Sequence, residues 1–352
     1  MPPNSANSEP LLHDEVKEEQ LEKLVAPQAG PRKFQIVYPN LITFGYGHIS
    51  LLYGAYLMFT FAKWQTIVFA HVMIILSGFG ITAGAHRLWA HRTYKAKMPL
   101  QILLMLLNTL AFQNTAMDWV RDHRLHHKYS DTDADPHNAT RGFFYSHVGW
   151  LLVRKHKEVK RRGKLIDLSD IENNPVLSFQ KKYAIPLVSL VTFVMPTVIP
   201  MYFWGETLNN AWHVATLYRY VFVLNVTFLV NSAAHYWGCK PYEKSILPSQ
   251  NHFVSLFALG EGFHNYHHVF PWDYRTAELG NNTLNPTTKF IDFFAWIGWA
   301  YDLKAVPDDM INNRKSRTGD GSSLWGWGDK DQPKEEMNAA IIKYPDENDK
   351  DK

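Results

Sequence analysis

Seventeen of the 352 residues are histidine, and nine of them fall into a pattern. His123-Arg124-Leu125-His126-His127 puts three imidazoles into five residues. On an α-helix, at about 100° per residue, they share an arc of roughly 100°. His264-Asn265-Tyr266-His267-His268 repeats the same His-x-x-His-His spacing, and His86 and His91 bracket a third cluster, His86-Arg87-Leu88-Trp89-Ala90-His91. His235 stands apart, with Asn231 one helical turn before it on the same face. Imidazole binds zinc, iron and copper, but a closed structural zinc takes four ligands, usually including cysteine. The one cysteine, Cys239, excludes a disulfide framework and any cysteine-rich metal site. Nine histidines, with Asn231 bridging through water, suit two redox metals at roughly four or five ligands each. Asp118, Asp122, Asp131, Asp133, Asp135 and Glu261 flank the boxes as candidate acceptors for the second ring nitrogens. Asp122 and Glu261 lie nearest the ligands, and His137 and His147 lie close to the second box.

These side chains need elements to gather them. Fourteen per cent aromatics and twelve tryptophans suit a membrane-interface protein, and the net charge of +3 gives no reason to expect a nucleic-acid partner. Residues 1–33 are polar and acidic, predicted to be a disordered arm with no readable cleaved signal. Four apolar runs of spanning length come next, at about 41–62, 67–85, 184–204 and 218–234, paired by short links into two hairpins. Leu100–Gln113 is too short to cross and reads as a partly buried or interfacial helix, as does Phe290–Tyr301. The link between the hairpins carries Arg154, Lys155, Lys157, Lys160, Arg161, Arg162, Lys164, Lys181 and Lys182, whereas the two short links hold only Lys63. The long link and both termini are therefore expected in the cytosol. The result is an all-α integral membrane protein: a membrane domain over 34–302, a cytosolic helical cap over 86–183 and 235–302, and a polar cytosolic tail over 303–352. All nine histidines then collect at one membrane face.

The residues around the boxes resemble the membrane acyl-CoA desaturases, particularly those of moths. The likeness rests on Gly80-Ile81-Thr82-Ala83-Gly84-Ala85-His86-Arg87-Leu88-Trp89, Asp118-Trp119-Val120-Arg121-Asp122-His123, Asp133-Ala134-Asp135-Pro136-His137-Asn138, Asn231-Ser232-Ala233-Ala234-His235 and Gly260-Glu261-Gly262-Phe263-His264, and runs from about residue 32 to 323. It implies four transmembrane helices under a cytosolic cap in the endoplasmic reticulum membrane. It also implies a di-iron centre held by His86, His91, His123, His126, His127, His235, His264, His267 and His268, with Asn231 acting through water. No residue outside the metal centre is assigned a catalytic role. The reaction implied is removal of two hydrogens from neighbouring methylenes of a fatty acyl-CoA, using dioxygen and two electrons from cytochrome b5 and its NADH-dependent reductase. The sequence shows no His-Pro-Gly-Gly haem motif of a fused donor. Residues matching the family's CoA contacts are Asn40, Arg121, Asp122, Arg154 and Lys155, and Gln113 and Trp119 match its acyl tunnel. Asp122 thus has two candidate roles.

Leu247-Pro248-Ser249-Gln250 resembles a signature of the Δ11 group and points to Δ11 regiochemistry, with Δ9 as the alternative. Two other readings compete: a histidine-box lipid hydroxylase and a non-enzymatic membrane metal-binding protein.

Overall fold

A computed structural model describes residues 34–278, 283–322 and 334–339, so the N-terminal arm and most of the C-terminal tail lie outside the described residues. The described chain is mostly helical; its one sheet is the two-stranded pairing of Lys95–Ala96 with Ala300–Tyr301. The elements that position the site are α1 (Tyr38–Thr60), α2 (Trp64–Ala90), α3 (Met98–Ala111), α4 (Ala116–Lys128), α5 (Ala184–Trp204), α6 (Leu208–Tyr236), α7 (His264–Val269), α8 (Pro286–Trp296) and α9 (Asp308–Thr318).

Three helices, α2, α5 and α6, are long and apolar enough to cross a bilayer, at 27, 21 and 29 residues. The fourth expected span falls on α1, whose 23 residues are free of charge but diluted by Asn40, His48 and several tyrosines. Its outer face is apolar and open, with Ile42, Ile49, Leu52 and Phe59 all exposed, as beside lipid. Its inner face meets α6 closely: a Cβ on Gly54 would lie 2.4 Å from the His213 carbonyl oxygen. Helices α3 and α4 are apolar enough as a pair but bend by 82° at their junction. The first of them is a buried interior helix, and the second carries the central histidine box.

Two boundaries differ from the sequence expectation. The second span does not end at residue 85; it widens into π turns over Gly80–Ala90 and carries His86 within the helix. The fourth does not start at 218 but at Leu208, leaving only Gly205–Thr207 as the link. The polar Asn209, Asn210 and His213 disguise its first turns, yet Asn210 is buried with partners. A third difference lies in the tail, where α9 docks on the cap through Ile311 against Tyr242, Tyr266, Phe270 and Val306. The helix expected over Phe290–Tyr301 lies earlier, at α8, and Tyr301 falls in the sheet; in α8 Ile291 and Phe294 are buried, and Phe293 and Trp296 are exposed.

A polar knot ties the hairpins at the end away from the histidines. Glu206 accepts from the Lys63 backbone N–H at 2.9 Å and the Thr66 hydroxyl at 2.5 Å through one oxygen, and from Thr207 N and Asn210 Nδ2 through the other. Lys63 Nζ in turn donates to the carbonyls of Trp204 and Gly205. At the opposite end, α4 is started by Thr115, whose hydroxyl accepts from Asp118 N, satisfying an otherwise orphaned donor.

Candidate metal centre

The nine histidines converge into two groups. One contains His86, His91, His123, His127 and His267; the other contains His126, His235, His264 and His268; within each group the nitrogens lie within 4.8 Å of one another. In the first, Nε2–Nε2 separations are 3.0 Å for His86 and His267, 2.8 Å for His91 and His123, and 2.9 Å for His127 and His267. In the second they are 3.0 Å for His235 and His264, 3.1 Å for His264 and His268, and 3.3 Å for His126 and His268. Nitrogens held about 2.1 Å from one ion and at right angles to each other stand about 3.0 Å apart. The donor set therefore fits one metal ion per group.

Helix geometry divides the boxes. Residues i and i+4 lie about 40° apart around a helix, whereas i+3 is about 100° from i+4. His123 and His127 accordingly serve the first group, and His126, between them, serves the second. In α7 the order reverses: His264 and His268 serve the second group and His267 the first. The three imidazoles of His123-Arg124-Leu125-His126-His127 therefore do not aim at one metal, as their common arc suggests, but straddle two.

Outward-facing ring nitrogens meet carboxylates, which fix the tautomer that frees Nε2. His86 Nδ1 lies 2.9 Å from Glu261 Oε2, His126 Nδ1 2.8 Å from Asp135 Oδ2, and His235 Nδ1 3.2 Å from Asp131 Oδ2. Glu261 is held by Arg87, a wholly buried arginine whose fork donates to it at 2.9 and 3.1 Å and also to Asn285, Thr288 and the Tyr274 carbonyl. Sequence reasoning missed Arg87; the available signal was a charge inside the otherwise apolar run into the first box. Asp122 meets no histidine: it accepts from Arg121 and Lys155. Asp118 pairs with Arg121, and Asp133 with Arg141. His137 packs its ring 4.5 Å from that of His126 and touches Asp135, whereas His147 bonds Ser232 and Asn225 instead of the boxes.

Burial, reinforced by neighbouring imidazoles, pushes the pKa of His91, His123, His127, His264, His267 and His268 well below the ordinary histidine value. These rings are neutral near pH 7, the form that binds a metal. For His126, burial acts downward but Asp135 outweighs it, and the pKa rises. Asp135 is pushed upward by burial, but His126 and His137 hold it below the usual carboxylate range.

Two cavities meet at the first group. One, of about 440 Å³, is almost wholly apolar and runs between α2 and α6, past Ile74, Gly78, Phe222 and Val226 to His86 and His123. The other, of about 290 Å³, is lined by Asn40, Phe112, Gln113, Asp122, His123 and His137. Trp119, His123, Thr227 and Asn231 line both. Trp119 stacks on His123 with ring centroids 4.7 Å apart and donates from Nε1 to Gln113 Oε1, while Gln113 Nε2 donates to Thr227 Oγ1 at 2.8 Å. This chain of bonds forms a waist between the cavities. Thr227 was not singled out in the sequence. Asp122 lines the second cavity and accepts from Lys155 and Arg121, Asn40 lines it while donating to the Leu151 carbonyl, and Arg154 is exposed beside Lys155.

A cluster of nine imidazoles at one end of a helical bundle with membrane-spanning helices, opening onto an apolar cavity, defines a membrane protein able to hold metal beside an apolar cavity. The family described as fatty acid desaturase matches residues 62–279. The chain is 69% identical, over 92% of its length and 96% of the relative, to an acyl-CoA Delta(11) desaturase of Spodoptera littoralis. It is 63% identical, over 89% of its length and 87% of the relative, to an acyl-CoA Delta-9 desaturase of Acheta domesticus. It is 52% identical, over 84% of its length and 88% of the relative, to stearoyl-CoA desaturase 5 of Bos taurus. The chain belongs to the fatty acid desaturase family.

Proposed function

We propose that this protein is an oxygen-dependent acyl-CoA desaturase that inserts one double bond, at Δ11, into a saturated fatty acyl-CoA. The observation that carries the reading is the meeting of two histidine groups, of five and four members, with an apolar cavity on one side and, on the other, a cavity lined by Asp122, which accepts from Arg121 and Lys155. An acyl chain fits the first environment and the phosphates of CoA the second. The Δ11 assignment is supported by the relatives named Delta(11) desaturase, at 65–69% identity, against 63% for the one named Delta-9. A Δ11 product suits a pheromone-precursor pathway.

An unactivated methylene carries no proton that a side-chain base can remove, so two irons, when bound, would supply the oxidising power from dioxygen. The protein's own residues do the rest. The nine histidines, neutral through burial, would hold the metals, with Asn231 reaching one through water. Glu261, Asp135 and Asp131 orient three of the rings. Trp119, Gln113 and Thr227 bend the chain beside His123 and exclude water. Asn40, Arg121, Asp122, Arg154 and Lys155 would receive the CoA end. The balance requires two electrons and two protons per dioxygen reduced to water; a separate cytochrome b5 with its NADH-dependent reductase would supply the electrons. The endoplasmic reticulum is the proposed membrane, with both termini in the cytosol.

Expression of the full chain in a desaturase-deficient yeast, with location of double bonds in the accumulated acyl chains, tests this. Δ11 monounsaturated chains are the expected result. Oxygenated lipid without a new double bond would assign a hydroxylase, and unchanged lipid a metal-binding protein without this activity.

A further inference from the structure

Arg219 lies inside α6, a membrane-crossing helix, and its side chain is wholly buried. A charged residue there is expensive and by default marks a function. Among the described residues no carboxylate stands within ion-pair distance. Its donors go instead to backbone carbonyls on three helices: Leu110 of α3 at 2.5 Å, Thr192 of α5 at 2.8 Å and Ala215 of α6 at 3.5 Å. Leu110 belongs to the last turn of α3, where carbonyls lack helical partners. The neighbouring Thr109 carbonyl accepts from the Thr192 hydroxyl at 2.7 Å. Arg219 and Thr192 together thus pin the end of α3.

The waist lies directly beyond that end. The chain leaves α3 through Phe112 and Asn114, both in the left-handed region at φ 48° and 69°. Such non-glycine conformations persist only where their surroundings impose them. Gln113 sits between them and bonds Thr227 and Trp119 across the junction of the two cavities. Phe112 packs against Phe193 of α5 and Tyr220, the residue after Arg219, with centroids 5.7 and 5.5 Å apart. The side of this turn is therefore set by the same three helices that Arg219 joins.

We infer that Arg219 is a positioning residue for regiochemistry: by fixing the end of α3 it fixes the waist against the histidines, and so selects which pair of methylenes stands at the metal centre. The inference rests on the acyl-CoA desaturase reading. A shift of about 1 Å at the reacting atoms is enough to misplace chemistry, and an acyl chain offers near-identical methylenes on either side of the correct pair. A loosened waist should change the choice of bond more than the capacity to hold metal.

The test expresses the full chain in desaturase-deficient yeast as wild type, Arg219→Lys, Arg219→Gln, Thr192→Val and Gln113→Ala, and measures double-bond position together with iron per protein. Lysine keeps the charge but cannot span two carbonyls as the planar fork does. Arg219→Lys is expected to retain its iron while the fraction of product away from the main position rises about five-fold or more. Thr192→Val is expected to shift the distribution in the same direction and less, and it decides the matter if the Arg219 variants do not accumulate. Wild-type product positions in Arg219→Lys and Thr192→Val, with a changed distribution in Gln113→Ala, would overturn the role of Arg219 alone. Unchanged positions in Gln113→Ala as well would overturn the reading of the waist as part of an acyl tunnel, and the inference with it.

Discussion

At the residue scale, the protonation of the histidines ties stability to metal. Six of them (His91, His123, His127, His264, His267 and His268) take up protons less readily folded than unfolded, because burial and neighbouring rings disfavour the imidazolium. The unfolded chain, with histidine pKa values of about 6.5, therefore binds more protons below that pH. Stability is full above about pH 6.5 and falls as the pH drops toward the folded values. Thermal unfolding in detergent with a chelator present should show a melting temperature that declines between about pH 7 and pH 5. A melting temperature that rose on acidification would contradict it. Glu261→Gln addresses the orienting carboxylates. It removes the countercharge of buried Arg87 and leaves one acceptor oxygen where Arg87 and His86 now use two, and is expected to weaken iron retention about 10–100-fold and to cost about 3–5 kcal/mol of stability. Iron per protein and melting temperature check the two effects separately. The ligand-type residues were legible from the sequence because a rare spacing occurs twice. The neighbours were less so: Asp122 adjoins His123 and Glu261 stands three residues before His264, yet the fold sends the nearer one to Lys155 and the farther one to His86.

At the scale of elements, the packing of α2 on α3 decides whether the boxes meet. A Cβ on Gly80 would fall 2.2 Å from the Leu107 carbonyl carbon and 2.3 Å from Asn108 N, both backbone atoms that cannot rotate away. Gly80→Ala should therefore lose at least about 1–3 kcal/mol and lower the yield of folded, metal-retaining protein. Gly45→Ala, with nothing within 4 Å of the added methyl, should leave both unchanged. Size-exclusion profiles and iron content compare the two. Hydrophobic runs gave the existence of these helices, and α5 came out at Ala184–Trp204 as its run predicts. The ends of α2 and α6 were hidden for one physical reason: His86 and Asn210 look like boundary residues in a hydropathy pattern, but each is buried with a partner inside the bundle. The 82° bend between α3 and α4 had no sequence signal either, since no glycine or proline marks the turn at Phe112–Asn114.

At the scale of the whole molecule, the knot at Glu206 and the histidine groups mark opposite ends of the bundle. The basic residues of the long link belong to the segment that carries the second histidine box, and this charge bias is the ground for the proposal that the histidine end faces the cytosol. Epitope tags at both termini should then be removed by protease added outside sealed microsomes, and protection of either tag would reverse the proposed orientation. That distribution of charge was readable without coordinates. The docking of α9 on α7 was not, because Met310-Ile311 is a lone apolar pair in a charged segment and the partners of Ile311, Tyr242 and Tyr266, are remote in sequence.

The interleaving of the boxes would also make two bound ions thermodynamically dependent on each other. α4 and α7 each deliver ligands to both groups, so an ion in one group fixes the helices that the other must use. The ordering cost is met largely by the first ion, and the second binds to a prepared site, which is positive linkage. Iron titration of the stripped protein should be sigmoidal, with the half-loaded species scarce at every point. His91→Ala, which removes a ligand from the first group only, should weaken binding at the second group as well.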